Sequence, residues 1–187
     1  MSTRTDGNDV PLVSGAAAGL VAWIVGYVLT YAATAGSIRN SLIGQILQNS
    51  DGGGVPQAVG LVFYNAHFVQ TVVEAGFLGT SATSLIGGEN GFTPVLYLVP
   101  IVVLLAAGAA VAVQSGATDA ATGAKAGGTV AIGYLVVSII GVFIMQVGSG
   151  STSASPDLVT GIVLAGVLYP AVAGAVGGVL GGELVDR

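Results

Sequence analysis

The chain has 187 residues, of which 53% are hydrophobic and only 7% are charged. Soluble domains carry about 25% charged residues, so this composition predicts an integral membrane protein with a single membrane domain over residues 1–187. The net charge of −5, with Lys125 as the single lysine, excludes a basic surface for nucleic acid. The chain has no cysteine, which excludes disulfides and thiolate metal sites.

Four apolar segments predict four membrane-spanning helices, each close to or longer than the roughly 20 residues that cross a bilayer. They cover residues 12–36, 94–114, 127–148 and 158–182. Residues 37–93 form an insertion between the first two spans, whose short helices lie at the interface or dip into the membrane. The predicted fold is therefore an all-α integral membrane protein.

Residues 33–35, Ala-Thr-Ala, resemble a signal-peptidase site near the end of the first span. The acidic start with its single arginine and the long apolar segment argue against cleavage. We expect the first span to remain part of the protein.

The insertion contains the only histidine, His67, within the apolar residues 61–79. Read as one helix that turns about 100° per residue, this segment places its polar side chains on one face. They are Tyr64, His67, Gln70, Thr71 and Glu74. Asn65 lies on the opposite, apolar side.

Three interpretations of this polar face remain open. The helix could lie on the membrane with the polar face toward water, or it could pack against other helices that satisfy its polar groups. The face could also line a proton or ion path, because ionisable groups inside a membrane are costly and mark functional sites. One histidine with scattered carboxylates makes a poor metal site. We expect no enzyme activity, no metal and no cofactor.

Glycines recur at four-residue spacing in two of the predicted spans. Gly174, Gly178 and Gly182 form one strip in the last span, and Gly15 and Gly19 form a pair in the first. Such strips let helix backbones approach closely in lipid. They predict either packing among the four helices or an interface between copies of the chain.

Basic residues predict the orientation of the chain. With four spans, Arg4, Lys125 and Arg187 fall on one side of the membrane and Arg39 falls on the other. Basic residues favour the cytoplasmic side, so both termini are predicted to be cytoplasmic.

Residues 63–69, Phe-Tyr-Asn-Ala-His-Phe-Val, resemble a motif of small, uncharacterised multi-spanning membrane proteins from haloarchaea. The acidic loops and the scarcity of lysine also resemble that group. The resemblance implies no particular activity.

Two functions follow as expectations. The first is a non-enzymatic structural or accessory membrane protein that acts through helix contacts with itself or with a larger complex, in contact with membrane lipid. The alternative is a small oligomeric channel or ion-coupled transporter whose path uses His67 and Glu74, lined by Tyr64, Gln70 and Thr71.

Overall fold

A computed structural model describes residues 10–41, 54–89 and 91–185. The elements in chain order are α1 (Leu12–Asn40), α2 (Val55–Asn65), β1 (Thr71–Ala75), a 3-10 turn (Gly76–Leu78), β2 (Thr80–Thr83), a second 3-10 turn (Pro94–Tyr97), α3 (Leu98–Gln114), α4 (Ala120–Gly128), α5 (Val130–Ile144), β3 (Val147–Ser149), β4 (Thr152–Pro156) and α6. Helix α6 has three consecutive parts, the α-helical turn Leu158–Thr160, the π-helical stretch Gly161–Leu168 and the α-helix Tyr169–Val185.

Four helical segments of the described chain are long and apolar enough to cross a membrane. They are Leu12–Asn40, Pro94–Gln114, Ala120–Ile144 and Leu158–Glu183. This agrees with the four predicted spans and indicates a multi-pass membrane protein.

The boundaries of the spans differ from the predicted ones at two places. The first helix continues to Asn40, so residues 37–40 belong to it and not to the insertion. The third begins at Ala120 and ends at Ile144, because α4 and α5 join through Thr129 alone. Residues 42–53 of the predicted insertion lie outside the described residues.

Two aspartates begin helices by capping their first turns. Asp119 Oδ1 accepts hydrogen bonds from the backbone N–H of Thr122 and of Ala121, both at 2.9 Å. Asp157 Oδ1 accepts from the hydroxyl of Thr160 at 2.7 Å and from its N–H at 2.9 Å. These bonds lower the pKa of both carboxyl groups. Both caps therefore remain ionised at neutral pH.

The prediction of an all-α fold is wrong in one respect, because the chain also forms a four-stranded antiparallel sheet in the order β2-β1-β4-β3. Val72 of β1 lies between Ala82 of β2 and Ser155 of β4. The β-branched residues at the start of β1 favour a strand. The predicted third span ran to residue 148, but residues 147 and 148 belong to β3.

Both glycine strips contact helices of the same chain. A Cβ at Gly178 would overlap the carbonyl oxygen of Gly123 in α4, and one at Gly174 would overlap that of Gly127. On α3, a Cβ at Gly108 would overlap the carbonyl oxygen of Gly174. Gly182 lies against Asp119. The α6 glycines assigned to a possible interface between copies are thus covered by α3 and α4.

The pair in the first span is buried in the same way. A Cβ at Gly15 would overlap Thr129, and one at Gly19 would overlap the carbonyl oxygen of Val130. Helices α1 and α5 therefore approach each other backbone to backbone, as the spacing of these glycines predicts.

We predict that Gly178→Ala lowers the free energy of unfolding by about 1–3 kcal/mol, because its methyl group must displace the α4 backbone. Gly128→Ala is the matched control, since a Cβ there meets no atom within 4 Å. Thermal melting of both variants in the same detergent checks this. Equal melting temperatures would show that the α4–α6 contact is not close-packed.

Candidate functional site

Helix α2 lies alongside α1 and runs in the opposite direction. Near its start, Val55 packs in one apolar cluster with Ile38, and the hydroxyl of Tyr27 donates to the carbonyl of Pro56 at 3.0 Å. Near its end, the ring of Phe63 fills the space beside Gly26. The helix thus enters the bundle from the end where α1 finishes.

The end of α2 reaches a point about half-way along the spans. The ring of His67 lies 5.7 Å from that of Tyr134 and 5.3 Å from that of Tyr169. Tyr134 precedes the end of α5, Ile144, by ten residues, and Tyr169 follows the first residue of α6, Leu158, by eleven. At 1.5 Å per residue His67 is about 15 Å from both helix ends, half of the roughly 30 Å apolar thickness of a bilayer.

The predicted single polar helix over residues 61–79 is wrong. Helix α2 ends at Asn65, the chain reverses, and β1 begins at Thr71. Tyr64, His67 and Thr71 are buried, whereas Gln70 and Glu74 are exposed. A polar face shared by His67 and Glu74 therefore does not exist, because Glu74 lies on β1 opposite Ser153.

The reversal after α2 is a left-handed helix cap. The N–H of Val69 donates to the carbonyl of Tyr64 at 3.2 Å, and the N–H of Phe68 donates to that of Asn65 at 2.9 Å. This pattern needs a left-handed residue, commonly glycine, but Phe68 occupies it with φ 61°. The strain is of the order of 1–2 kcal/mol for a residue with a side chain. The Phe68 ring stacks on Tyr97 at 4.5 Å.

Asn65 ties the reversal to its surroundings. Its Nδ2 lies 3.0 Å from the carbonyl oxygen of Val69 and 2.9 Å from Thr71 Oγ1. Its Oδ1 accepts from the N–H of Leu85. One buried amide thus joins α2, β1 and the segment after β2. Asn65 is not among the predicted site residues, although a lone amide on an apolar face is a signal, because buried amides need partners.

His67 is fully buried and is held by both ring nitrogens. Nδ1 lies 2.8 Å from the carbonyl oxygen of Phe63, and Nε2 lies 2.6 Å from the hydroxyl oxygen of Tyr134. Because a carbonyl can only accept, Nδ1 carries the proton and Nε2 accepts from the Tyr134 hydroxyl. This assigns the neutral form of the imidazole, which is the form that a site remote from water favours.

Tyr64 makes a second bond between α2 and the spans, donating its hydroxyl to the carbonyl of Ser138 on α5. Gly141 leaves the room for that hydroxyl, since a Cβ there would overlap it. The Ser138 hydroxyl and the Trp23 indole N–H, both buried, have no hydrogen-bond partner within the described residues. Each such group costs about 1–3 kcal/mol.

A family model described as a family of unknown function (DUF7978) matches residues 1–184. The chain belongs to this family. Comparison with curated proteins and with solved structures gave no match. The match covers α2, the sheet and all four spans, which agrees with the expected membership of an uncharacterised family.

The chemistry of this site is that of a closed hydrogen-bonded cluster. The side-chain polar atoms of His67 and Asn65 form hydrogen bonds with other groups of the protein. The aromatic ring of Phe63 lies 4.8 Å from the imidazole. Across the described parts of the chain, no three residues of the His, Cys, Asp or Glu type lie close enough to hold a metal ion. The cluster is suited to holding α2 in place.

We predict that Tyr134→Phe destabilises the DUF7978 fold by about 1–3 kcal/mol, because it leaves His67 Nε2 buried without a donor. Tyr97→Phe is the control, since Tyr97 contributes its ring to Phe68 and makes no hydroxyl bond in the described structure. Denaturant-free thermal melting in detergent measures both. A Tyr134→Phe variant as stable as Tyr97→Phe would contradict the assignment of this bond.

Proposed function

We propose that the protein is a non-enzymatic accessory or structural subunit that acts through contacts with a partner in the membrane, either a larger complex or a second copy. The observation that carries this proposal is an apolar tip that the sheet holds away from the rest of the protein. The tip consists of Phe77 and Leu78 in the 3-10 turn between β1 and β2.

The tip side chains are almost free of contacts. Phe77 is 96% exposed and Leu78 is 76% exposed. The turn is fixed in shape, because the N–H of Ala75 donates to the carbonyl of Gly79 at 2.9 Å, and Gly76 and Gly79 take positive φ angles of 54° and 89°. Adjacent exposed aromatic and aliphatic side chains on a defined turn are typical of contact sites.

The closed interior supports a role without catalysis. His67 is paired on both ring nitrogens and Glu74 stands apart on the sheet, so the two do not combine into an acid–base pair. We propose neither a cofactor nor a nucleic-acid partner, in keeping with the low content of basic residues.

The proposed setting is a cell membrane with both termini on the cytoplasmic side. Arg39 lies at the end of α1. Lys125 lies in α4, close to the beginning of α5, and the beginning of α5 packs on the start of α1. Their placement at opposite ends of the bundle fits one basic residue outside and the others inside. The acidic, lysine-poor composition supports a haloarchaeal origin as part of the same proposal.

We predict that the protein purified in mild detergent at high salt has a mass above that of one chain by light scattering, or keeps a defined protein partner. Phe77→Ser combined with Leu78→Ser should abolish that association, because it removes the apolar contact. Ser81→Ala with Thr83→Ala, two exposed changes on β2, is the control. A wild-type monomer without a partner would contradict the proposed role.

Transport of protons or ions is the second candidate. It is favoured by the position of His67, an ionisable side chain half-way along the spans. One turn along α5 from its partner Tyr134, the buried Ser138 hydroxyl has no hydrogen-bond partner within the described residues. In this case the proton or ion flux into proteoliposomes would be lower for the His67→Gln variant than for the wild type. It would be unchanged for Glu74→Gln, since Glu74 lies on the sheet. No flux above empty liposomes would leave the accessory role alone.

A further inference from the structure

A groove of about 270 Å³ opens where α5 ends and α6 begins. Val142 and Phe143 of α5 and Leu158 of α6 form its apolar walls. The sheet closes the third side through Val72 of β1 and Ser155 of β4, which are cross-strand neighbours. The groove is separate from the His67 cluster and from the exposed tip of the sheet.

The mouth of the groove is continuous with the apolar surface of the spans. Phe143 is 60% exposed and Leu158 is 46% exposed. Their chain neighbours are exposed as well, Ile144 to 56% and Val159 to 67%. These side chains lie in the last turn of one span and the first turn of another, which is the level of the lipid headgroups. The volume is slightly below the roughly 300–1,000 Å³ of small-molecule sites. Because the groove opens onto the apolar surface of the spans, part of one lipid chain can lie along it.

The rim of the groove is acidic. Asp157 lines it, and its Oδ2 makes no hydrogen bond within the described residues because Oδ1 alone caps α6. Glu74 lies farther along β1, opposite Ser153 and four residues beyond Gln70, whose carbonyl accepts from the N–H of Asp157. It is therefore about 13 Å along the strand from the rim. Gln146 adds an amide to the rim.

No basic side chain of the described chain balances the Asp157 carboxylate at the rim. Arg39 donates to the hydroxyl of Tyr31 on α1. Lys125 lies on α4, whose Gly123 packs against Gly178, about 30 Å along α6 from Asp157. The rim therefore complements a cation and repels an uncompensated anionic headgroup.

We propose that this groove binds one membrane phospholipid whose headgroup carries a primary ammonium, with an acyl chain along Phe143 and Leu158 and the ammonium at the carboxylate of Asp157. The ammonium also donates three hydrogen bonds, which the free oxygen of Asp157 and the Gln146 carbonyl can accept. This binding is independent of the proposed partner at the tip of the sheet.

The test is native mass spectrometry of the full chain after equilibration with mixed micelles of equal phosphatidylethanolamine and phosphatidylglycerol. We expect the wild type to retain phosphatidylethanolamine in preference. Asp157→Asn should reduce that preference by about two- to five-fold, the effect of a partly exposed ion pair. Asparagine keeps the helix cap, so the fold is retained, as thermal melting will verify.

Asp119→Asn is the matched control, because it changes the other capping aspartate, which belongs to α4. Ser155→Leu fills the groove and should abolish retention. Three results would overturn the proposal: no lipid preference in the wild type, equal effects of Asp157→Asn and Asp119→Asn, or retention that survives Ser155→Leu. A preference for phosphatidylglycerol would also overturn it, since it would require an anion at the acidic rim.

Discussion

The architecture depends on satisfying an irregular backbone half-way along the spans. Where the chain reverses after α2, helical hydrogen bonds stop, and a lipid environment offers no water to replace them. Asn65 provides the replacement by binding the carbonyl of Val69 and the N–H of Leu85. The left-handed Phe68 then closes the cap. Without these two residues α2 could not end where it does.

Glycines play different roles in the two halves of the bundle. In one half they bring helices together, as Gly178 does with Gly123. In the other half they make room for side chains of α2: Gly26 faces the ring of Phe63, and Gly141 faces the hydroxyl of Tyr64. The same residue type therefore closes the bundle at one end and opens it for α2 at the other.

The sequence predicts the spans well, because long apolar segments have few alternatives to crossing a membrane. It predicts residues 61–79 poorly. The helical spacing of the polar side chains continues past Asn65 and Phe68. The helix nevertheless ends there, because the Asn65 amide accepts a hydrogen bond from the distant N–H of Leu85 and Phe68 takes a rare backbone angle. The β-branched start of β1 carries a strand signal, but β4, Thr-Ser-Ala-Ser-Pro, carries no comparable signal and becomes a strand by pairing with β1 and β3.

The candidate site could likewise be predicted only in part from the sequence. His67 could be singled out as the only histidine, but its partner Tyr134 lies 67 residues away, on a different span. Glu74 looked like a companion of His67 because they are two helical turns apart in the sequence. The reversal of the chain moves Glu74 to the sheet, so only the tertiary structure separates the two.

The fold requires that α2 enters the membrane and that the chain after it returns, through β1, to the side from which α2 entered. The chain has no cysteine, so labelling of a single-cysteine variant by a membrane-impermeant maleimide shows on which side of the membrane that residue lies. The account predicts that Ser37→Cys and Ser81→Cys, both exposed, react from one side of oriented vesicles and that the exposed Thr118→Cys reacts from the other. Reaction of Ser81→Cys from the side opposite to Ser37→Cys, with Thr118→Cys then on the side of Ser37→Cys, would mean that residues 61–79 cross the membrane, which would contradict it.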